Sequence, residues 1–123
     1  MKYKSFKQLL LKKHCQFLQI KKSGLWIKSS NLIIIVHLTS NPKIGFTVTK
    51  KVGKAHLRNL IKRRLKHIAQ QSFDYWKKYQ IVVLAKPCSI KASFQELKSN
   101  FLYMLTIVDK KYSSKIDHHI ENN

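Results

Sequence analysis

Residues 49–69 read TKKVGKAHLRNLIKRRLKHIA and contain all three arginines of the chain, Arg58, Arg63 and Arg64. The chain supplies the rest of its strongly basic side chains as lysine. Arginine presents a rigid planar fork that binds phosphate in a bidentate way, whereas lysine is a mobile point charge. The switch to arginine in this segment therefore indicates a surface that needs geometry as well as positive charge.

The same segment predicts an amphipathic helix from about residue 55 to about residue 72, after a basic loop that contains Gly53. One helical stripe is apolar and consists of Leu57, Ile61, Leu65 and Ile68. The adjacent stripe is basic and consists of Arg58, Lys62 and Lys66, widened by Asn59 and Arg63. Like charges four residues apart destabilise an isolated helix by about 0.2–0.5 kcal/mol per pair. We therefore expect the apolar stripe to hold the helix on a sheet, so that the basic stripe faces a ligand.

The charge balance points to a polyanionic partner. Lysine and arginine number 25 against five acidic residues, which gives a formal net charge of +20, and residues 1–73 contain no acid. Such a surface repels itself unless a polyanion neutralises it. Nucleic acid is the leading candidate, and an anionic membrane surface is the second.

Other classes of protein are disfavoured. The longest apolar run, residues 32–36, is far too short to cross a bilayer. Cys15 and Cys88 have no metal-ligand spacing with each other or with the histidines. Paired carboxylates and the common catalytic motifs are missing, so we expect no catalytic side chain. The sequence predicts a soluble, cytoplasmic protein with no metal site, no membrane partner and no small-molecule substrate.

Hydrophobic periodicity predicts a single domain that mixes helices and strands. A short helix is expected at residues 13–23, ended by Gly24. Strands are expected near residues 25–27, 32–38, 43–49 and 80–86. If the short turn at residues 40–42 makes a hairpin, the second and third strands are antiparallel.

The last part of the domain is predicted to be helical. Ser93 and Glu96 form a capping-box pattern at the start of a helix whose apolar face includes Phe101. After Asp109 the chain becomes polar. We therefore expect the domain to span residues 1–109 and residues 110–123 to form a disordered tail.

A family motif joins the third strand, the glycine loop and the basic helix. Residues 45–55 read GFTVTKKVGKA, and Arg58, Asn59, Lys62 and Arg63 follow at fixed spacing. This run resembles the signature of the bacterial ribonuclease P protein component, whose helix opens Arg-Asn-Arg-x-Lys-Arg. Outside the motif, the first helix and the strand at residues 81–87 resemble their counterparts in the family. The resemblance extends over residues 9–108.

The resemblance implies an α+β two-layer sandwich of order αβββαβα, with a left-handed βαβ crossover against the common hand. It also implies a division of labour within ribonuclease P. An RNA subunit that uses Mg²⁺ carries out catalysis. The protein is an accessory subunit without catalytic residues, and it binds that RNA and the 5′ leader of precursor tRNA during leader removal.

Two sets of site residues follow from the resemblance. Contacts with the catalytic RNA are expected from Lys50, Lys51, Lys54, Arg58, Asn59, Lys62, Arg63 and Lys66. A cleft between the first helix and the sheet is expected to hold the single-stranded leader by aromatic stacking and phosphate contacts. The positions of this cleft are Phe17, Lys21 and Ile35.

The chain departs from the family pattern at three positions. Leu60 replaces the second arginine of Arg-Asn-Arg, and we expect Arg64 to replace it in part from the opposite edge of the helix. Lys21 and Ile35 replace two cleft aromatics, and only Phe17 retains one. The departures predict that leader binding depends more on electrostatic contacts and less on aromatic stacking than in the family pattern.

Two alternatives remain open at this point. One is a structural RNA-binding protein, such as a ribosomal protein, which shares the basic surface. The other is a membrane-surface protein, whose helix would turn its apolar stripe towards lipid rather than towards a sheet.

Overall fold

One four-stranded sheet organises the protein. The computed structural model describes residues 6–121, and the side chains of residues 6–113. The strands are β1 (Leu25–Lys28), β2 (Leu32–Leu38), β3 (Lys43–Thr47) and β4 (Tyr79–Ala85). Their spatial order is β1-β2-β4-β3, in which β1 and β4 run antiparallel to β2, and β3 runs parallel to β4.

The predicted hairpin between β2 and β3 is wrong, because β4 lies between these two strands. Ile81, Val82 and Val83 of β4 have no exposed surface, which is the pattern of a central strand covered on both faces. The hairpin is instead formed by β1 and β2, where the Ser29 N–H donates to the Leu32 carbonyl at 2.8 Å. A short turn limits how far the chain travels, but it does not decide which strand fills the neighbouring position.

Four helices complete the fold: α1 (His14–Ser23), α2 (Ala55–Gln71), α3 (Phe73–Trp76) and α4 (Phe94–Glu121). The mixed single domain and the predicted element order are confirmed, with the short α3 as an addition. Trp76 of α3 is fully buried, and its Nε1–H donates to the Ala69 carbonyl at 2.9 Å. The parallel strands β3 and β4 with α2 between them form the expected βαβ crossover, whose hand stays a prediction.

The main core lies between one sheet face and the helices α2 and α4. Ile61, Leu65 and Ile68 of α2 are buried there, as the apolar stripe predicts. The α4 helix adds Leu97, Phe101, Met104, Leu105 and Val108. Each such side chain contributes roughly 1.5–3 kcal/mol when fully buried. This burial fixes α2 against the sheet despite the repulsion along its basic stripe.

Among the described residues, α1 and the preceding Leu11 cover part of the opposite sheet face. A small second core joins Leu11 and Ile20 to Ile35 and Val82 of the sheet, with Phe17 packed against it. Gly24 lets α1 end close to β2, because a Cβ there would lie 2.7 Å from Cγ2 of Ile35. This partial third layer leaves a groove beside α1.

The prediction of a disordered tail from residue 110 is corrected by α4, which continues to Glu121. Tyr112 stacks on Tyr79 with 5.7 Å between ring centroids, and its hydroxyl donates to the Val36 carbonyl at 3.4 Å. The Tyr79 hydroxyl donates in turn to Asp109. These contacts anchor the helix beyond the predicted domain boundary, whereas residues 122 and 123 lie outside the described part of the chain.

At the other end of α4, the Glu96 N–H donates to Ser93 Oγ at 3.1 Å, as the capping pattern predicts.

Candidate nucleic-acid interface

The approach to α2 is a turn that depends on one glycine. Lys50–Val52 forms a single turn of 3₁₀ helix, and Gly53 follows with φ 149° and ψ −161°. This backbone region is essentially restricted to glycine. The turn places the exposed Lys50, Lys51 and Lys54 around the N-terminus of α2, where unpaired N–H groups add positive potential.

The exposed side of α2 forms a shallow groove, which we call the helix groove. It is lined by His56, Asn59, Lys62, Arg63 and Lys66. Four of these five residues belong to the set predicted to contact RNA, and the structure therefore brings them together. Arg58 is half-buried beside them. The groove contains no acidic side chain, so its positive charges are free to act on a polyanion.

A second groove, the sheet groove, lies between α1 and the edge strand β3 and reaches α2 at Lys62. Its lining residues are Lys12, His14, Phe17, Lys21, Phe46, Thr47, Val48 and Lys62. Phe17 and Lys21 thus lie in one groove, as predicted. Lys62 lines both grooves, and the two surfaces therefore meet at this side chain.

The prediction that Ile35 lines the groove is wrong. It has no exposed surface and lies in the small core under α1, with Phe17 packed against that core. Its side chain is enclosed in this core and cannot contact a bound molecule. The sequence identified the strand face correctly but could not show that α1 covers this position.

The role expected of Arg64, to replace in part the arginine missing at position 60, is also corrected. Its Nη1 donates to the Ala92 carbonyl at 3.3 Å, which ties it to the segment before α4. Arg64 therefore does not take over the role of the arginine that Leu60 replaces. Leu60 is half-buried and uncharged, so α2 has one fewer cation than the family pattern provides.

Sequence reasoning missed several groove residues. Lys12, before α1, and His14, its first residue, belong to neither predicted set, yet both line the sheet groove. Thr47 ends β3 and reaches the same groove. Trp26 lines neither groove but is 45% exposed. Its alternation with the buried Ile27 in β1 indicates opposite faces for the two side chains, but the sequence alone does not show which sheet face Trp26 occupies.

The fold and the two grooves define a class of protein. An acid-free basic helix joined to a groove with an aromatic side chain is suited to phosphates on one surface and to unpaired bases on the other. Within the described residues, no helix combines the length and the apolar character needed to cross a membrane. The class is that of a nucleic-acid-binding α/β domain.

Comparisons with known proteins identify the family. The family model described as Ribonuclease P matches residues 6–109. The ribonuclease P protein component of Phytoplasma australiense is 32% identical over 121 residues, which are 95% of this chain and 98% of that relative. That of Bacillus velezensis is 30% identical over 112 residues, which are 85% of this chain and 95% of the relative. The chain belongs to the ribonuclease P protein component family.

Solved structures show the same fold. The RNase P protein of Staphylococcus aureus superposes with a TM-score of 0.74 and 22% identity, covering 81% of this chain and 94% of that one. The protein of Thermotoga maritima gives a TM-score of 0.70 and 24% identity, covering 77% and 93%. Family membership makes this chain a protein subunit of a ribonuclease in tRNA processing, and it favours this role over that of a ribosomal or membrane-surface protein.

Proposed function

We propose that the protein holds two RNA molecules at once, as an accessory subunit of ribonuclease P. The helix groove and the lysines before it bind the catalytic RNA. The sheet groove binds the single-stranded 5′ leader of precursor tRNA. The RNA subunit, with its bound Mg²⁺, cuts off the leader to give the mature 5′ end of the tRNA.

One observation carries this proposal: Lys62 lines both grooves. A strand bound along α2 and a strand bound beside α1 would approach each other at this ammonium group. Two RNA backbones repel each other strongly unless cations lie between them. Lys62 is therefore placed to reduce the cost of bringing substrate and catalytic RNA together.

The two grooves use different physical interactions. The helix groove offers only polar and basic side chains, so its binding is electrostatic and sensitive to salt. The sheet groove adds the Phe17 ring, on which a base can stack, while Lys12, Lys21 and Lys62 neutralise phosphates. This division suits a structured RNA in the first groove and an unpaired strand in the second.

The proposal assigns the metal to the RNA. Among the described side chains, no group of three or more histidine, cysteine or carboxylate residues is positioned to hold a metal ion. In the proposed division, the RNA subunit holds the Mg²⁺, and the protein acts by binding and positioning the two RNA molecules. Its contribution to the rate is greatest where metal is scarce, because its cations then replace part of the missing counter-charge.

Reconstitution tests the proposal. The protein is mixed with a bacterial ribonuclease P RNA and a precursor tRNA at low Mg²⁺, and 5′ cleavage is compared with that of the RNA alone. We expect faster cleavage with the protein, and no gain would reject the function. The double variant Lys62→Gln/Arg63→Gln should lose most of the gain. The charge-matched control, Lys77→Gln/Lys78→Gln, changes two exposed lysines beside α3 and should keep it.

A further inference from the structure

The sheet face beside the sheet groove continues from Thr47 towards β1. Thr47 of β3 is paired with Leu84 of β4, Leu84 with Ile33 of β2, and Ile33 with Lys28 of β1. Directly paired residues point to the same face of a sheet. Thr47, Leu84 and Ile33 are half-buried and Lys28 is exposed, so this row forms a partly open floor from β3 to β1.

Trp26 lies at the far end of this floor. It is paired with Ile35, and Ile35 is paired with Val82, which is in turn paired with Gly45, beneath the Phe17 ring. Trp26 and Phe17 therefore occupy the same sheet face at opposite edges. The backbones of Trp26 and of Gly45, on which Phe17 rests, are three strand spacings apart, or about 14 Å.

The Trp26 ring is both exposed and fixed. Its exposed fraction is 45%, whereas Trp76, the other tryptophan, has none. The Trp26 Nε1–H donates to the Lys21 carbonyl at 3.1 Å, which ties the indole to the end of α1. Lys21 lies one turn after Phe17 on α1 and also lines the sheet groove. The end of α1 therefore links the groove to Trp26.

We propose that Trp26 is a second stacking site for an unpaired nucleotide of the leader, at the β1 edge of the sheet. The inference rests on the proposed function of the sheet groove and extends it to a longer path. The leader enters beside Lys62 and Phe17, passes Lys21, and ends on Trp26 next to Lys28. Trp26 thereby supplies an aromatic surface that Lys21 and the buried Ile35 do not.

The chemistry of this path selects single-stranded RNA. Base stacking on an aromatic ring needs a base that is not paired, and exposed lysines beside the ring neutralise the backbone. Lys21 and Lys28 stand beside Trp26 on the same face and supply that charge. An apolar peptide would gain from Trp26 but not from the lysines and His14 along the groove.

The first test measures the preference of the reconstituted holoenzyme for precursor tRNA over mature tRNA. Trp26→Ala should reduce this preference by at least about fivefold, the lower limit for loss of one stacked base. Trp26→Phe keeps an aromatic ring but loses the bond to Lys21, and it should retain most of the preference. Tyr103→Ala is the matched control, since Tyr103 is a 63% exposed aromatic residue on α4 outside the groove.

The second test uses Trp26 as its own reporter. Binding of precursor tRNA to the holoenzyme should quench the exposed indole, while the buried Trp76 contributes a constant signal. The quenching should disappear in Trp26→Phe and should not occur with mature tRNA, which has no leader.

The outcomes separate this inference from the proposed function. If the unaltered holoenzyme does not prefer precursor tRNA, the leader function of the groove fails, and the inference fails with it. If the preference is present but Trp26→Ala leaves it unchanged, only the stacking site is overturned. Equal losses in Trp26→Ala and Trp26→Phe also overturn stacking, because they would assign the effect to the bond with Lys21. Unchanged affinity for the RNA subunit in both variants verifies that the fold is intact.

Discussion

The ring of Phe17 rests directly on Gly45. A Cβ added at Gly45 would lie 2.4 Å from Cζ and 2.5 Å from Cε1 of Phe17. Gly45 lies in the interior of β3, where glycine has poor strand propensity. The glycine is explained by the ring above it, because any larger residue would push Phe17 out of the sheet groove.

Gly45→Ala should therefore affect leader binding more than binding of the RNA subunit. The displaced ring costs about 1–3 kcal/mol of folding free energy, as overpacking usually does. Urea unfolding measures this cost, and the holoenzyme's preference for precursor over mature tRNA measures the loss of Phe17 from the groove. In the double variant Gly45→Ala/Phe17→Leu, stability should recover in part while the preference stays low. A full recovery of the preference would mean that the Phe17 ring does not contact the leader.

Arg63 and Arg64 are adjacent in sequence but should differ in their effect on RNA binding. Arg63 lines the helix groove, whereas Arg64 donates to the Ala92 carbonyl. Affinity for the RNA subunit is measured against salt concentration. If the basic face neutralises about 4–6 phosphates, the log–log slope should be about −3 to −5. Arg63→Gln should make it shallower by about 0.7–0.9.

Arg64→Gln serves as the matched control for that experiment. Its slope should stay at the value of the unaltered protein, while its folding free energy falls by about 0.5–1.5 kcal/mol because one hydrogen bond is lost. Equal slopes in the two variants would place Arg64 in the RNA interface and contradict the assignment made from its bond to Ala92.

Gly53 should be intolerant of every other residue. Its φ of 149° with ψ −161° differs from the left-handed helical region that asparagine also adopts. Gly53→Ala and Gly53→Asn should both destabilise the protein by about 1–3 kcal/mol. Thermal unfolding checks this expectation. An asparagine variant as stable as the unaltered protein would show that the turn can change to a left-handed conformation without loss.

Tyr79 should make the protein sensitive to alkali. Burial, followed by the hydrogen bond to Asp109, raises the pKa of the Tyr79 phenol above its ordinary value of 10.0. A raised pKa in the folded state stabilises the protein fully below pH 10, and this contribution is lost as pH rises further. Unfolding free energy measured from pH 7 to 11 should therefore fall above pH 10.

The variant Tyr79→Phe should show a smaller alkaline fall and lower stability at pH 7, by about 1–2 kcal/mol, because Asp109 loses its hydrogen-bond donor. Tyr103→Phe, at an exposed position, should reproduce the unaltered profile. An alkaline fall of the same size in Tyr79→Phe would assign the effect to other groups.

Local patterns in the sequence were sufficient for much of the site. The two stripes of α2 follow from helical periodicity, since Ile61 and Lys62 are neighbours that must face about 100° apart. The resulting basic surface collects Asn59, Lys62, Arg63 and Lys66 as predicted. The family motif lies in the same contiguous segment, which is why the sequence alone was enough to suggest the protein class.

What the sequence alone determined is the main helices and strands and the two faces of α2, because both arise from residues close together in the chain. Only the tertiary structure decided which surfaces remain open. It inserted β4 between β2 and β3, covered Ile35 with α1, tied Arg64 to Ala92 and left Trp26 exposed. These outcomes depend on contacts between distant segments, whose energies no local pattern contains. The segment at residues 49–69 thus specifies a basic helix, while its neighbours in space decide which of its cations can reach RNA.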